Sequence, residues 1–495
     1  MTDAAFLPDG WELVVGLEVH VELDTATKMW CGCATTFGDE PNTNVCAVCT
    51  GQPGSLPVVN SRAVHDAILL GLAINGHIAE RCQFHRKNYF YPDLAKNYQI
   101  SQYDIPLVSD GFLDVEVEID GAIVTRRVGI ERLHMEEDTG KSLHVGESGR
   151  LHGAERSLID YNRCGIPLLE IVSHPEIHDP ATAQAYLREL QAIVIATGVS
   201  PARMDHGQMR CDANVSVRQF GDPLGTRTEI KNLNSVRSLG RAVRYEALRQ
   251  VDEITGGNTI RMETRHWDES RGVTETLRVK ESVTDYRYFP DPDLVAVTAS
   301  AKRVETIRAT MPELPAATRQ RFADAGLNRE QAIGVIALSA IEVYDDAVRR
   351  SADPTRVAQW LVGDIAGVLT QESLTLAEAG LTGAHLSELI AMIDDGQLSH
   401  TMAKTVLGHL IDSRGEATPQ AIAEQRNLVQ LQDTDALRDI ARQVVDENTE
   451  TVQAIRDGNT KAIGALVGAV MAKTKGQADP RVTNQLLNEL INASA

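Results

Sequence analysis

The spacing of apolar residues changes near residue 298, and that change limits what the chain can fold into. Before it, short apolar runs alternate with Gly, Pro and Asn turns: WELVVGLEVHVEL, FLDVEVEIDGAIVTRRVGIERL, IPLLEIVS, DANVSVRQ and TEIKNL. Alternation at a period of two marks strands with one buried face. Helical patterns are interspersed, SRAVHDAILLGLAI and ATAQAYLRELQAIVIATG, the second closing at Gly198 as a glycine just past a helix end does. This is α+β grammar with antiparallel strands rather than repeating βαβ units.

After residue 298 the spacing is helical. NREQAIGVIALSAIEVYDDAVRRSA, TGAHLSELIAMIDDG and SHTMAKTVLGHLIDSRG carry the pattern, with Thr382 and Ser399 as N-caps and Gly396 and Gly415 as stops. A break at GEATPQ divides this half again. The expected organisation is a catalytic α+β domain over 1–297, a helical domain over 298–417 and a helical tail over 418–495. At roughly 150 residues per domain, a chain of 495 residues accommodates three such parts.

The formal charge is −21, which argues against a non-specific nucleic-acid coat, since binding phosphates broadly needs a field of Lys and Arg. The tail carries eight basic and ten acidic residues, the helical part eleven and sixteen, leaving −14 on the first 297. Lys461, Lys473, Lys475 and Arg481 gather around a turn in the near-neutral tail, a weak hint of phosphate contact against the plainer reading of solvated helix ends. The first residues, MTDAAFLPDGWEL, lack the pattern of a secretory leader, and no apolar run reaches spanning length. The expected compartment is the cytoplasm, with no membrane contact.

Seven cysteines are an odd count, and four cluster as Cys31-Gly-Cys33 and Cys46-Ala-Val-Cys49. Two close pairs fit a tetrahedral Zn–S₄ site in a reducing compartment, structural because four thiolates fill the shell. Cys82, Cys164 and Cys211 are expected to be buried singletons.

In GLEVHVEL, the period of two places Glu18, His20 and Glu22 opposite Leu17, Val19, Val21 and Leu23. LHMEEDTGKS groups Glu136, Glu137 and Asp138; IPLLEIVS embeds Glu170 in an apolar strand; RCDANVSVR sets Asp212, Asn214 and Ser216 on one face. Strand carboxylates with a histidine suit a divalent ion that bridges nucleotide phosphates, Mg²⁺ by its oxygen preference or Mn²⁺ by its tolerance of nitrogen. Cations for phosphoryl transfer are present in Arg86, Lys87 and Lys96, set among tyrosines, and in Lys231 of TEIKNLNS. EDTGKS imitates the end of a phosphate-binding loop, but Met135 stands where that motif requires its first glycine. Any ATP site is therefore of another type.

GLEVHVEL, RKNYFYPD, NYQISQYD, RLHMEEDTGKS, RCDANVSVR, EIKNLNS, DYRYFPDPDL and the tail's AIGALVGAVMAKTKGQADP together resemble the GatB family, the B subunits of aspartyl/glutamyl-tRNA(Asn/Gln) amidotransferases. The resemblance runs from about residue 11 to residue 492. It implies a catalytic cradle related to the glutamine synthetase/guanido kinase fold, a helical domain and a tRNA-binding tail. It further implies a ligase that phosphorylates the side-chain carboxylate of misacylated Glu-tRNA(Gln) or Asp-tRNA(Asn) with ATP, then aminates it. Carried over residue by residue, Glu18, His20, Glu137 and Glu170 are the expected Mg²⁺ ligands. Asp212 is expected to serve a second cation or the nucleotide, with Lys87 and Lys231 on phosphate. The four cysteines are expected to hold Zn²⁺.

No serine-lysine amidase signature occurs, so ammonia is expected from an amidase-type partner subunit, with a small third subunit completing a heterotrimer. The family's archaeal paralogue carries an inserted domain that has no counterpart here. An acidic chain of this kind is expected to meet tRNA by shape and a few local basic contacts. The rival readings are a non-catalytic tRNA scaffold and a stand-alone carboxylate–ammonia ligase.

Overall fold

The computed structural model describes residues 6–146, 154–279, 286–350, 352–428, 434–457, 459–474 and 477–493. It divides into two compact units, residues 1–315 and 316–495. The first is α+β and the second is helical.

In chain order the strands of the first unit begin with β1 (Trp11–Glu22), β2 (His77–Ile78), β3 (Arg81–Cys82), β4 (His85–Asn88), β5 (Tyr98–Ser101), β6 (Val108–Ile119), β7 (Ala122–Glu137) and β8 (Lys141–Val145). They continue with β9 (Arg156–Asp160), β10 (Pro167–Ser173), β11 (Met209–Gln219), β12 (Thr228–Leu233), β13 (Glu263–Asp268), β14 (Val273–Val279), β15 (Phe289–Pro290) and β16 (Val297–Thr298). Nine of them form one sheet in the order β14-β13-β12-β11-β1-β10-β7-β6-β2. All its neighbours are antiparallel except the parallel pair β12–β13.

β1 lies between β10 and β11, and its register explains the two faces of the sheet. Val19 pairs with Ile171 and Cys211, and Leu17 with Ala213, so one face is apolar and fully buried. His20 pairs with Glu170 and Arg210, and Glu18 with Asp212, so the other face is polar. A one-residue slip would expose the valines and bury the carboxylates. With each buried Val or Leu side chain worth about 1.5–3 kcal/mol, register is strongly fixed.

Helices α1 (Ser61–Ala73), α2 (Pro180–Ala196) and α3 (Val236–Thr255) pack against the strands on the apolar side. Their starts are capped by Asn60, Asp179 and Ser235, each accepting from backbone N–H groups of the first turn. α2 ends as its sequence implies, with Gly198 at φ +67° just beyond the cap. A further helix, α4 (Ala301–Arg308), packs on α1 and buries Ile307 in the same core, so this unit extends past residue 297. The small sheet β15-β4-β5 carries Lys87, and Arg86 beside it bonds Asp291 at 2.8 Å and Asp293 at 2.7 Å.

Among the described residues the second unit holds two apolar clusters, one spanning Phe322 to Ala423 and one spanning Leu437 to Ile491. Thr382 and Ser399 cap their helices, and Gly396 and Gly415 adopt positive φ beyond the helix ends. The run NREQAIGVIALSAIEVYDDAVRRSA forms two helices, Arg329–Ala337 and Ile341–Arg349. The break is at Ser339, left-handed at φ +53°, where Ala340 N–H bonds back to Val335. Among the described residues, no helix is long and apolar enough to cross a membrane.

Candidate active site and cysteine cluster

The polar face of the central strands gathers the titratable groups. β1 supplies Glu18 and His20, β10 supplies Glu170, and β7 supplies His134 and Glu136. His20 Nε2 lies 3.5 Å from Glu170 and 3.7 Å from Glu136. His134 Nε2 approaches the same Glu170 oxygen at 3.2 Å, while its Nδ1 is buried with no partner among the described residues. One ligand atom each from His20, Glu136 and Glu170 lies within 4.8 Å of the others, a set that could hold a metal ion.

The electrostatics of this cluster call for positive charge. Burial raises the Glu18 carboxyl, the Glu170 charge raises it further, and the Asn214 amide, donating at 2.8 Å, only partly offsets them. Burial works against protonated His134, yet Glu170 and Glu136 lift its pKa to about 9. His20 moves up for the same reason, with burial opposed by Glu170 and Glu136. Burial also opposes ionisation of Glu170, but the two imidazoles hold it well below the usual carboxylate range. Two carboxylates and an imidazole, buried or half-buried on the polar sheet face, offer hard oxygens and one borderline nitrogen with coordination positions left over, a set that Mn²⁺ tolerates and that Mg²⁺ meets through its oxygens.

Glu137 is where the structure departs from the expected ligand set. On β7 the side chain of Glu136 joins His20 and Glu170, whereas Glu137 points to the opposite side of the strand. The Glu137 carboxylate is 1% exposed and already engaged: Lys96 Nζ donates to Oε2 at 2.5 Å, and Ile100 N–H donates to Oε1 at 2.9 Å. The residues whose donor atoms converge thus include Glu136, and Glu137 lies outside that set. His134 was missed altogether. Alternation along LHMEE would have placed it with Glu136, but nothing local shows which member of that acidic pair faces His20.

Lys87 faces the site. Burial lowers its ammonium pKa, but Glu136, Tyr288, Glu170 and Tyr286 more than reverse this, and its Nζ stands 4.9 Å from the Tyr286 ring centre. Asp212, opposite Glu18 across β1–β11, receives the Lys231 ammonium at 2.5 Å, and Lys231 also reaches Glu229 at 3.0 Å. Asp212 and Lys231 are thus one ion pair beside the carboxylate cluster. At its other flank Glu22 and Asp138 share a hydrogen bond next to Arg210, whose guanidinium donates to Asp138 at 2.8 Å. Burial and this contact raise Glu22 to about 8, while Arg210 and Arg163 outweigh burial and hold Asp138 at about 2.

One of the basic residues around the tail turn is paired with an acid. Lys473 donates to Glu447 at 2.7 Å, and Lys475 lies outside the described residues.

The four clustered cysteines converge. Cys49 Sγ lies 3.4 Å from Cys31, 3.7 Å from Cys46 and 3.8 Å from Cys33, and all four sulfurs fall within 4.8 Å of one another. Zn–S bonds of about 2.3 Å at tetrahedral angles place sulfurs about 3.8 Å apart. The donors thus fit a metal such as zinc, held by Cys31, Cys33, Cys46 and Cys49 in a closed shell. Hydrogen bonding from Cys31 outweighs burial and brings Cys49 down to about 4, aided by the Lys28 charge. Burial pushes Cys33 up to about 11. Cys82, Cys164 and Cys211 are free and buried.

Residues 13–305 match the family model of the GatB/GatE catalytic domain, and residues 342–491 match that of the GatB domain. The chain is 48% identical over 493 residues to the B subunit of the aspartyl/glutamyl-tRNA(Asn/Gln) amidotransferase of Thermobifida fusca, covering 98% of this chain and 95% of that protein. The chain belongs to the GatB family of amidotransferase B subunits. The corresponding GatB protein of Salinispora tropica is 48% identical, with 97% of this chain and 96% of the relative covered. That of Brevibacillus brevis is 45% identical, with 98% and 99% covered. The catalytic-domain match contains both the His20–Glu136–Glu170 cluster and all four cysteines.

Proposed function

We propose that the polar face of the sheet carries out the ATP-dependent amidation of Glu misattached to tRNA(Gln), of Asp misattached to tRNA(Asn), or of both. The observation that carries this reading is the convergence of His20, Glu136 and Glu170 on the polar sheet face, inside the segment that matches a catalytic domain.

A side-chain carboxylate is a poor electrophile because its leaving group would be oxide. The chemistry therefore runs in two balanced steps. A carboxylate oxygen attacks the γ-phosphorus of ATP, the bond to ADP breaks, and an acyl phosphate forms. Ammonia then attacks the acyl carbon, the carbon–oxygen bond to phosphate breaks, and the amide and inorganic phosphate leave as the nitrogen loses a proton. His20, Glu136 and Glu170, with Glu18 beside them, would hold Mg²⁺, which supplies charge neutralisation at the phosphates. The Lys87 ammonium stands near the same carboxylates and is suited to the transferring phosphoryl group. Asp212 and Lys231 present a fixed ion pair at the flank, suited to orienting the nucleotide. Glu137 instead has the role of an internal counter-ion to Lys96.

The same reading places this chain in a heterotrimer. An amidase-type partner would supply ammonia from glutamine, and a small third subunit would complete the assembly. The first unit would be a cradle related to the glutamine synthetase/guanido kinase fold, followed by a helical domain and a tail that binds tRNA. The cysteine cluster would hold structural Zn²⁺.

An isotope experiment tests the reaction. The reconstituted enzyme is given tRNA charged with glutamate labelled by ¹⁸O in its side-chain carboxylate. An acyl phosphate route delivers one ¹⁸O to inorganic phosphate for each amide formed. Unlabelled phosphate would refute it, and absence of any tRNA-dependent ATP turnover would favour the scaffold reading. Turnover of free glutamate at a comparable rate would favour the stand-alone ligase.

A further inference from the structure

Lys28 is among the largest fully buried side chains of the molecule, at 1% exposure, and the reaction described above makes no use of it. It lies in the loop after β1, just before the first cysteine of the cluster. Its Nζ donates to Asn44 O at 2.7 Å, to Tyr161 O at 3.1 Å and to Cys49 Sγ at 3.5 Å. An ammonium has three N–H groups, so these three acceptors satisfy it fully. Two of them are neutral carbonyls. The sulfur is the acceptor that can carry a charge.

Burying an ammonium is unfavourable unless an anion lies close to it. Four thiolates around one divalent cation carry a net charge of about −2, which is unfavourable at the buried Cys49 side of the module without a neighbouring cation. Each group supplies what the other lacks. The same lysine also joins two stretches far apart in sequence, because Tyr161 opens the segment that leads to Gly165. That segment is fastened to the cysteine module by Met29 N–H on Gly165 O at 2.7 Å and by Asn44 N–H on Asn162 Oδ1 at 2.8 Å. It is fastened to the end of β7 by Gly165 N–H on Asp138 O at 2.9 Å. Arg163, within it, donates to Thr139 O and Gly140 O, each at 3.0 Å.

We propose that Lys28 is the charge-balancing and positioning partner of the Cys31–Cys33–Cys46–Cys49 metal centre, holding Cys49 toward the ion and linking the module to the Tyr161–Gly165 segment. The proposal rests on the reading that these cysteines hold a divalent metal. Lys28 touches the sulfur and not the ion, so it acts on the ion through its ligand. Outer-sphere partners of this kind typically change metal affinity 10–100-fold when removed.

The test uses the full chain with zinc, and with cobalt in its place. Lys28→Met and Lys28→Gln are compared with the wild type for zinc release to a chelator and for the energy of the thiolate-to-cobalt charge-transfer band. Glutamine keeps hydrogen bonding to the carbonyls but has no charge. Both variants are expected to release zinc at least about tenfold faster and to move the band to lower energy. Release at the wild-type rate with an unmoved band would overturn the proposal.

Melting temperatures complete the test if Lys28→Met folds poorly. In a Cys49→Ser background the charged acceptor of the ammonium is already gone, so adding Lys28→Met is expected to lower the melting temperature less than it does in the wild-type background. A drop equal to that in the wild-type background would show no coupling and would also overturn the proposal. A wild-type chain that takes up neither zinc nor cobalt would instead remove the metal reading itself. A wild type that loads normally beside variants that load identically would remove only the role of Lys28.

Discussion

Two groups of side chains in the first unit could hold a metal, and they differ in donor and in completeness. Cys31, Cys33, Cys46 and Cys49 offer four soft sulfurs that fill a tetrahedral shell, whereas His20, Glu136 and Glu170 offer two carboxylates and an imidazole on the polar sheet face, too few to fill one. A filled shell has no place for substrate and can act only on folding. An open one leaves positions for phosphate oxygens and can take part in chemistry. On the proposed reading the first group serves stability and the second turnover, and substitutions should separate the two.

The largest effect is expected at the open cluster. His20→Ala removes the nitrogen donor from a surface that is partly exposed, so tRNA-dependent amide formation should fall by about a thousandfold or more. The melting temperature should stay within a few degrees of the wild type. Single-turnover rates and a thermal melt check both halves, and a rate near that of the wild type would break the division.

Lys96→Met tests the opposite behaviour next door. It strands the Glu137 carboxylate in a buried position, which should cost about 3–5 kcal/mol of folding free energy. Denaturant titration measures that loss, and the rate per folded molecule should change only a few-fold.

The metal-free protein should reveal the charge demand of the open cluster through pH. His134 has its folded pKa raised to about 9 from an ordinary 6.5. Its stabilisation is therefore fully present below pH 6.5 and is lost as pH rises through 9, by up to about 3 kcal/mol. Urea midpoints across this range should fall in the wild type and vary less in His134→Asn. A flat wild-type profile would contradict the assignment.

Cys46→Ser is expected to have the smallest effect. Opening the closed shell should lower the melting temperature by about 5 °C and reduce zinc content. The rate per folded molecule should remain close to that of the wild type. A large loss of turnover without loss of stability would mean that the cysteine cluster reaches into the chemistry.

Much of this division was legible in the sequence. Alternation in GLEVHVEL put Glu18 and His20 on one face, and the paired cysteine spacing marked the closed site directly. Glu170 stood out because a carboxylate inside an apolar strand needs partners. What could not be read was parity on β7. Glu136 and Glu137 are adjacent, identical in type and on opposite sides of the strand, and the choice is decided by Lys96, 41 residues away. His134 and Lys28 were hidden for a related reason, since their partners come from other strands and from a distant loop. The break at Ser339 leaves no mark in the apolar spacing, which continues on both sides of a single left-handed residue.

The placement of the reaction turns most directly on that parity. Reconstituted with the amidase-type and small partner proteins, the wild type, Glu136→Gln and Glu137→Gln are compared for ATP-dependent conversion of Glu-tRNA(Gln) to Gln-tRNA(Gln), per mole of folded protein. Glu136→Gln is expected to retain less than about 1% of the wild-type rate, while Glu137→Gln melts earlier yet turns over within a few-fold of wild type. A Glu136→Gln variant that amidates normally, or a folded Glu137→Gln variant that does not, would contradict the placement of the reaction on this face of the sheet.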